Sequence, residues 1–254
     1  MRLGLIFVLL VPVIAEARVF NYKDSEVAAY VRGTGGLSQL AQDSFGNSSG
    51  PATTVDGSTK YNYGGEVGFM FGLGTNFHVR IGAEVLQENP VVGDGTNSAG
   101  ASLFTLNSSV FVFNPNIAFE YVYSANGNMR FYSVFGVGYA NVTVVNDYKM
   151  TGPGQTALNV GDFKETMDTN VISGQVGFGL ETLFTDNVTF MADVGYRYLP
   201  VKSLKYKADT VNILSPTTGV HKGDQVVNQD GSNRTLNLGG LFAGVAFRFY
   251  LNFL

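Results

Sequence analysis

The chain has 254 residues, of which 45% are hydrophobic and only 14% charged, with 32 Gly, 20 Phe, 13 Tyr, no Trp and no Cys. Roughly 25% charge is usual for a soluble domain, so a water-covered globule would be short of surface groups, and the aromatic content is too high for a disordered chain. The lack of Cys excludes a disulfide framework, a thiolate metal site, a Cys nucleophile and a lipidated Cys anchor, and the net charge of −4 gives no basic footprint for nucleic acid.

In chain order, residues 1–17 read as an export signal. Met1-Arg2 is a short positive start, Leu3 to Ile14 is apolar, and Ala15-Glu16-Ala17 has the small-x-small pattern of a cleavage site. Cleavage is expected after Ala17, leaving a single domain over 18–254 that begins at Arg18. Beyond residue 17 no apolar run approaches the roughly 18 residues needed for a membrane helix.

The remainder of the chain alternates. Strands are expected over 26–37, 61–71, 77–86, 110–123, 130–144, 170–184, 188–198 and 236–253. In 61–71 the odd positions are Tyr61, Tyr63, Gly65, Val67, Phe69 and Phe71, against Asn62, Gly64, Glu66, Gly68 and Met70. In 77–86, Phe77, Val79, Ile81, Ala83 and Val85 oppose His78, Arg80, Gly82, Glu84 and Leu86. Pro115 interrupts the 110–123 pattern and is expected to mark a bulge or kink, because it cannot donate to a ladder. In 130–144 the parity is ambiguous, and Gly136 and Gly138 are placed inward.

The connections alternate in length. Gly74-Thr75-Asn76, residues 124–128 and Thr185-Asp186-Asn187 are tight turns, whereas 38–60, 87–107, 145–169 and 199–234 are long, polar and expected to be mobile. Short turns on one side and long loops on the other predict an all-β, eight-stranded antiparallel up-and-down transmembrane barrel, with periplasmic turns and four extracellular loops.

Charge parity carries the most weight. Arg32, Glu66, Arg80, Glu84, Glu120, Arg130, Glu181, Asp193, Arg197 and Arg248 all fall on the less apolar parity, five basic and five acidic. A basic residue facing mid-bilayer lipid costs about 2–4 kcal/mol, which explains the exclusion. Equal numbers of each sign in a narrow interior predict a cross-lumen salt-bridge network. A soluble eight-stranded barrel would instead turn the apolar parity inward and leave an exterior of mostly Gly with about one charge per strand.

Gly177-Phe178-Gly179-Leu180-Glu181, then Asp193-Val194-Gly195-Tyr196-Arg197-Tyr198, then a terminal strand of alternating aromatics resemble the small eight-stranded outer-membrane barrels: the OmpA-type transmembrane domain, OmpX, OmpW and the opacity-type proteins. The resemblance implies contact with outer-membrane lipid and lipopolysaccharide. It also implies recognition by the barrel assembly machinery through Phe247, Phe249, Leu251 and Phe253, although Leu254 comes last where such signals usually end on the aromatic.

Eight strands enclose an interior just wide enough for side chains, so the expected function is a structural and surface-interaction scaffold with a plugged lumen. An OmpW-like narrow conduit for small or hydrophobic solutes is the alternative, and an outer-membrane lipid-modifying enzyme a remote one. No catalytic set, metal site or cofactor is expected: His78 lies inward beside a turn, and His221 sits in the longest loop with no Ser or Asp at a recognisable spacing. Lys202, Lys205 and Lys207 form a basic cluster beyond the seventh strand and are candidate lipopolysaccharide contacts; a solvated loop stem is the plainer reading. The sequence names no extracellular partner.

Overall fold

The computed structural model describes residues 27–39, 52–55, 59–125, 129–213, 219–228 and 231–251. The export segment 1–17 and Phe253 therefore lie outside the described residues. Eight long strands form the barrel: β1 (Val27–Gln39), β2 (Thr59–Gly72), β3 (Phe77–Glu88), β4 (Ser102–Ala125), β5 (Met129–Met150), β6 (Phe163–Thr185), β7 (Val188–Tyr198) and β8 (Gly240–Tyr250). Each pairs antiparallel with its sequence neighbours, and β1 pairs with both β2 and β8, which closes the ring and leaves no free edge.

The parity becomes a division between inside and outside. Val67, Phe69, Ile81, Phe119, Phe135, Val176, Phe178 and Val245 stand exposed on the outer face, while Arg32, Glu66, Arg80, Tyr132 and Arg248 are buried within. The ambiguous strand resolves with Tyr132 and Val134 inward and Phe131, Phe135, Val137 and Tyr139 outward. Tyr132 fits because its ring lies over Gly179 of β6, where an added Cβ would sit 2.2 Å from the ring. Gly74, at φ +126°, makes the β2–β3 turn that a side chain would strain.

Pro115 does not make a bulge. It pairs in register with Ala83 on the β3 side, while the ladder with β5 skips positions 114 and 115 and resumes at Asn116↔Gly138. The missing donor is absorbed as a local gap. The irregularity in β4 falls instead between Val122 and Ser124, close to the turn.

The long connections depart most from expectation. β4, β5 and β6 run on well past the barrel rim, and with Val91–Thr96 and Ala52–Val55 they build a tall sheet at the loop end. On its outward side Asn141, Thr143, Asp147, Lys149 and Lys164 replace the aromatics seen lower on the strands. On its inner side Leu103, Phe104, Leu106, Tyr148 and Met150 form an apolar cluster with Ile213. The helix Gly152–Leu158 packs there, started by Thr151, whose hydroxyl accepts from the Gly154 amide at 3.1 Å. The described parts of 87–107, 145–169 and 199–234, expected to be mobile and hydrophilic, thus carry enough apolar side chains to bury and pack into defined structure.

Candidate functional site

The lumen is the place where the chain concentrates chemistry, and it is filled at two levels. At the turn end, Arg130 meets Glu181 at 2.5 Å, Arg248 meets Glu181 at 2.7 Å and also contacts Glu120, and Arg80 lies 3.2 Å from Glu120. Tyr250 donates to Glu181 at 2.7 Å and accepts from Arg130 at 2.7 Å, and Thr189 donates to Glu181. Higher in the lumen, Arg32 bridges Glu66 at 3.0 Å and Asp193 at 2.8 Å, and Tyr30 donates to Glu66 at 2.6 Å. Above these, Arg197 contacts Glu84, which also accepts from Asn114 at 3.2 Å.

All ten charges singled out from the sequence lie inside, none more than 4% exposed. The strand order explains the pairing. Arg32 faces Glu66 across the β1–β2 ladder and Arg130 faces Glu181 across β5–β6, whereas Arg32–Asp193 and Arg248–Glu120 cross the lumen between strands that are not neighbours. Rings pack over the guanidinium groups: Tyr30 over Arg80 at 5.6 Å, Tyr132 over Arg248 at 5.6 Å, and Phe242 near Arg32 at 5.1 Å and Arg197 at 5.3 Å. His78 is buried with Nε2 3.3 Å from Arg130. His221 is exposed, 3.6 Å from Asp209, in a loop where the Lys222 amide holds the Asp209 carboxyl below its usual range.

The apolar cap above the ion network was not legible in the sequence. The described parts of the connection from Leu199 to Gly239 fold back over the barrel mouth. Leu199, Val201, Leu204, Tyr206, Val226, Leu236 and Leu238 pack into one buried cluster with Leu86, Val110, Val112, Val142, Val144 and Met167 of the barrel. Backbone bonds fasten this cap: Lys205 and Tyr206 pair with Asp168 and Met167 of β6, the Lys207 amide donates to the Thr166 carbonyl at 2.8 Å, and the Leu238 amide donates to the Leu199 carbonyl at 3.0 Å. Beside it, two ladder positions farther from the barrel than Met167, Glu165 is buried among Asn146 and Tyr148, each donating at 3.2 Å. Burial pushes the Glu165 carboxyl up, and the nearby positive charge of Arg234 offsets this in part. These apolar residues follow no fixed period among polar neighbours, so only their number hinted at burial.

Glu88 is another interior residue outside the predicted set. It continues the inward parity of Glu84 and Leu86 beyond the expected end of its strand, and it is buried. Lys202, Lys205 and Lys207 are all exposed on the cap, and Lys207 lies 3.6 Å from Asp168. Phe247 and Phe249 face outward on β8, and Leu251 lies just past the end of the strand.

An outward apolar belt around a closed ring with a charged interior is the inverse of a water-soluble protein. The chain has the fold of a small outer-membrane β-barrel. A major outer-membrane protein from Thermus thermophilus aligns with a TM-score of 0.51 at 13% identity, over 88% of this chain and 99% of its own. OprG from Pseudomonas aeruginosa aligns at 0.45 and 13%, over 91% and 99%, and the outer-membrane protease OmpT from Escherichia coli at 0.42 and 9%, over 90% and 97%. No family model and no curated protein sequence matches the chain.

Proposed function

We propose that this chain is an integral outer-membrane barrel with a closed lumen, and that it works as a scaffold displaying a folded platform at the cell surface rather than as a pore or an enzyme. The observation that carries this reading is the double closure: a cross-lumen ion network in the barrel and an apolar cap over its mouth. An eight-stranded interior has room for little besides side chains, and here those side chains are bound to one another. The tall sheet formed by β4, β5 and β6 offers an ordered surface carrying Asp147, Lys149, Asp162 and Lys164 in exposed ion pairs, a form suited to recognition by a partner.

Conductance in planar bilayers tests it. The intact chain is expected to give no stable single-channel current, and a deletion of residues 203–234 is expected to stay silent because the ion network still blocks the barrel. Stable currents from the intact chain that are changed by Arg80→Ala or Glu120→Ala would overturn the closed-scaffold reading in favour of a narrow conduit. Export through residues 1–17, and assembly through the terminal aromatics including Phe249, belong to the same proposal. Removal of 1–17 should leave the chain in the cytoplasm, and Phe249→Ala should slow insertion without unfolding the finished barrel.

A further inference from the structure

The described outer face of the barrel carries a concavity. It holds about 670 Å³ and is lined by Leu37, Tyr61, Val176, Phe178, Tyr196 and Leu241, among others. Its cause is the run of outward residues across the seam where β8 meets β1. Along one row, Phe178, Val194, Ala243, Gly35 and Tyr63 are successive ladder partners, so two small residues stand between larger ones. In the next row Gly33 faces Gly65. An added Cβ at Gly33 or Gly35 would meet nothing within 4 Å, so the space beyond them is open.

In a bilayer this hollow lies within the hydrocarbon band. Apart from the Tyr61 and Tyr196 hydroxyls its walls are apolar, and leaving it empty would forfeit dispersion contacts, so hydrocarbon fills it. A second barrel presents a convex outer face and fits a hollow poorly, whereas an acyl chain adapts to it. The charge above it narrows the choice. The outward parity of β7 continues past its end through Val194, Tyr196, Tyr198 and Pro200 to Lys202, which is exposed, beyond the aromatic rim and without an ion pair among the described residues. A cation at that height complements a phosphate at the bilayer surface.

We propose that the β1–β8 trough retains one acyl chain of a phosphorylated glycolipid of the outer leaflet, with Lys202 opposite the headgroup phosphate. The proposal rests on the barrel being integral to the outer membrane. The test uses the folded full chain in two sets of nanodiscs, phosphatidylcholine alone and phosphatidylcholine with purified lipopolysaccharide. The protein is then released into mild detergent, and bound lipid is counted by native mass spectrometry. One lipopolysaccharide should stay on each barrel. Gly35→Phe, which has open space to occupy, should lower retention at least about tenfold by removing buried methylene contacts. Ala243→Leu is the milder filling variant should Gly35→Phe not fold. Lys202→Gln should weaken lipopolysaccharide retention about fivefold and leave phosphatidylcholine unaffected. Val85→Phe, on an outward face away from the trough, should change nothing.

Unchanged retention in the filled variants, or equal retention of phosphatidylcholine and lipopolysaccharide, would overturn the proposal. So would a dimer mass that the filled variants abolish, which would make a second copy the occupant. A chain that fails to enter nanodiscs at all would instead overturn the membrane reading beneath it.

Discussion

At the scale of single residues, Glu181 holds the most connections in the lumen, with Arg130, Arg248, Tyr250 and Thr189 all directed at its carboxylate. Removing it takes the carboxylate partner from the buried Arg130 guanidinium and leaves Arg248 with Glu120 as its carboxylate contact. Glu181→Ala is therefore expected to cost about 3–5 kcal/mol, read as a lower midpoint in urea unfolding from lipid vesicles. Tyr250→Phe, which keeps the ring and removes one hydroxyl, should cost only about 1–2 kcal/mol by the same assay. On the opposite parity, Val67 is 57% exposed to the surroundings of the barrel, and Val67→Arg should cost about 2–4 kcal/mol in a bilayer. The ten charged positions were readable from the sequence because a strand has a strict period of two and lipid tolerates no unpaired charge. Their pairings were not readable: Arg32–Asp193 joins residues 161 positions apart, a consequence of ring closure that parity does not encode.

At the scale of elements, the cap over 199–239 should behave as a unit of lower stability than the barrel beneath it, since its backbone fastening is short and local. Leu204→Ala should loosen the cap by about 2–5 kcal/mol, seen as faster hydrogen exchange of amides in 199–239 with the barrel amides unchanged. Glu165 makes the cap sensitive to pH. Its carboxyl is pushed up in the folded state, so folding favours the protonated form. No penalty applies below the ordinary carboxylate range, and one develops as the pH rises from there toward the raised value. The cap should thus be held more tightly in mild acid than at neutral pH, and Glu165→Gln should flatten that dependence in the same exchange measurement. Strand existence and parity were legible along the chain, and the extensions of β4, β5 and β6 were not. Above the barrel the inner face becomes apolar and the outer face polar, so the pattern that marks the membrane strands reverses its sense there.

At the scale of the whole molecule, the sheet closes on itself, and that closure decides several properties together. It removes strand edges, turns one parity toward lipid, and brings distant charges within 3 Å of one another. A chain organised this way should migrate faster unheated than boiled in detergent gels, and the shift should persist when residues 203–234 are deleted, because the cap contributes no strand to the ring. The sequence by itself determined the number of long strands, which side of each faces lipid, and which charges lie within, since these follow from a local period of two and from the cost of placing charge in hydrocarbon. Only the tertiary structure decided how the ions pair, that the last connection returns as an apolar cap, and that the seam of β1 and β8 is hollow. Each of those depends on which residues meet across the ring, and no local pattern in the chain specifies that.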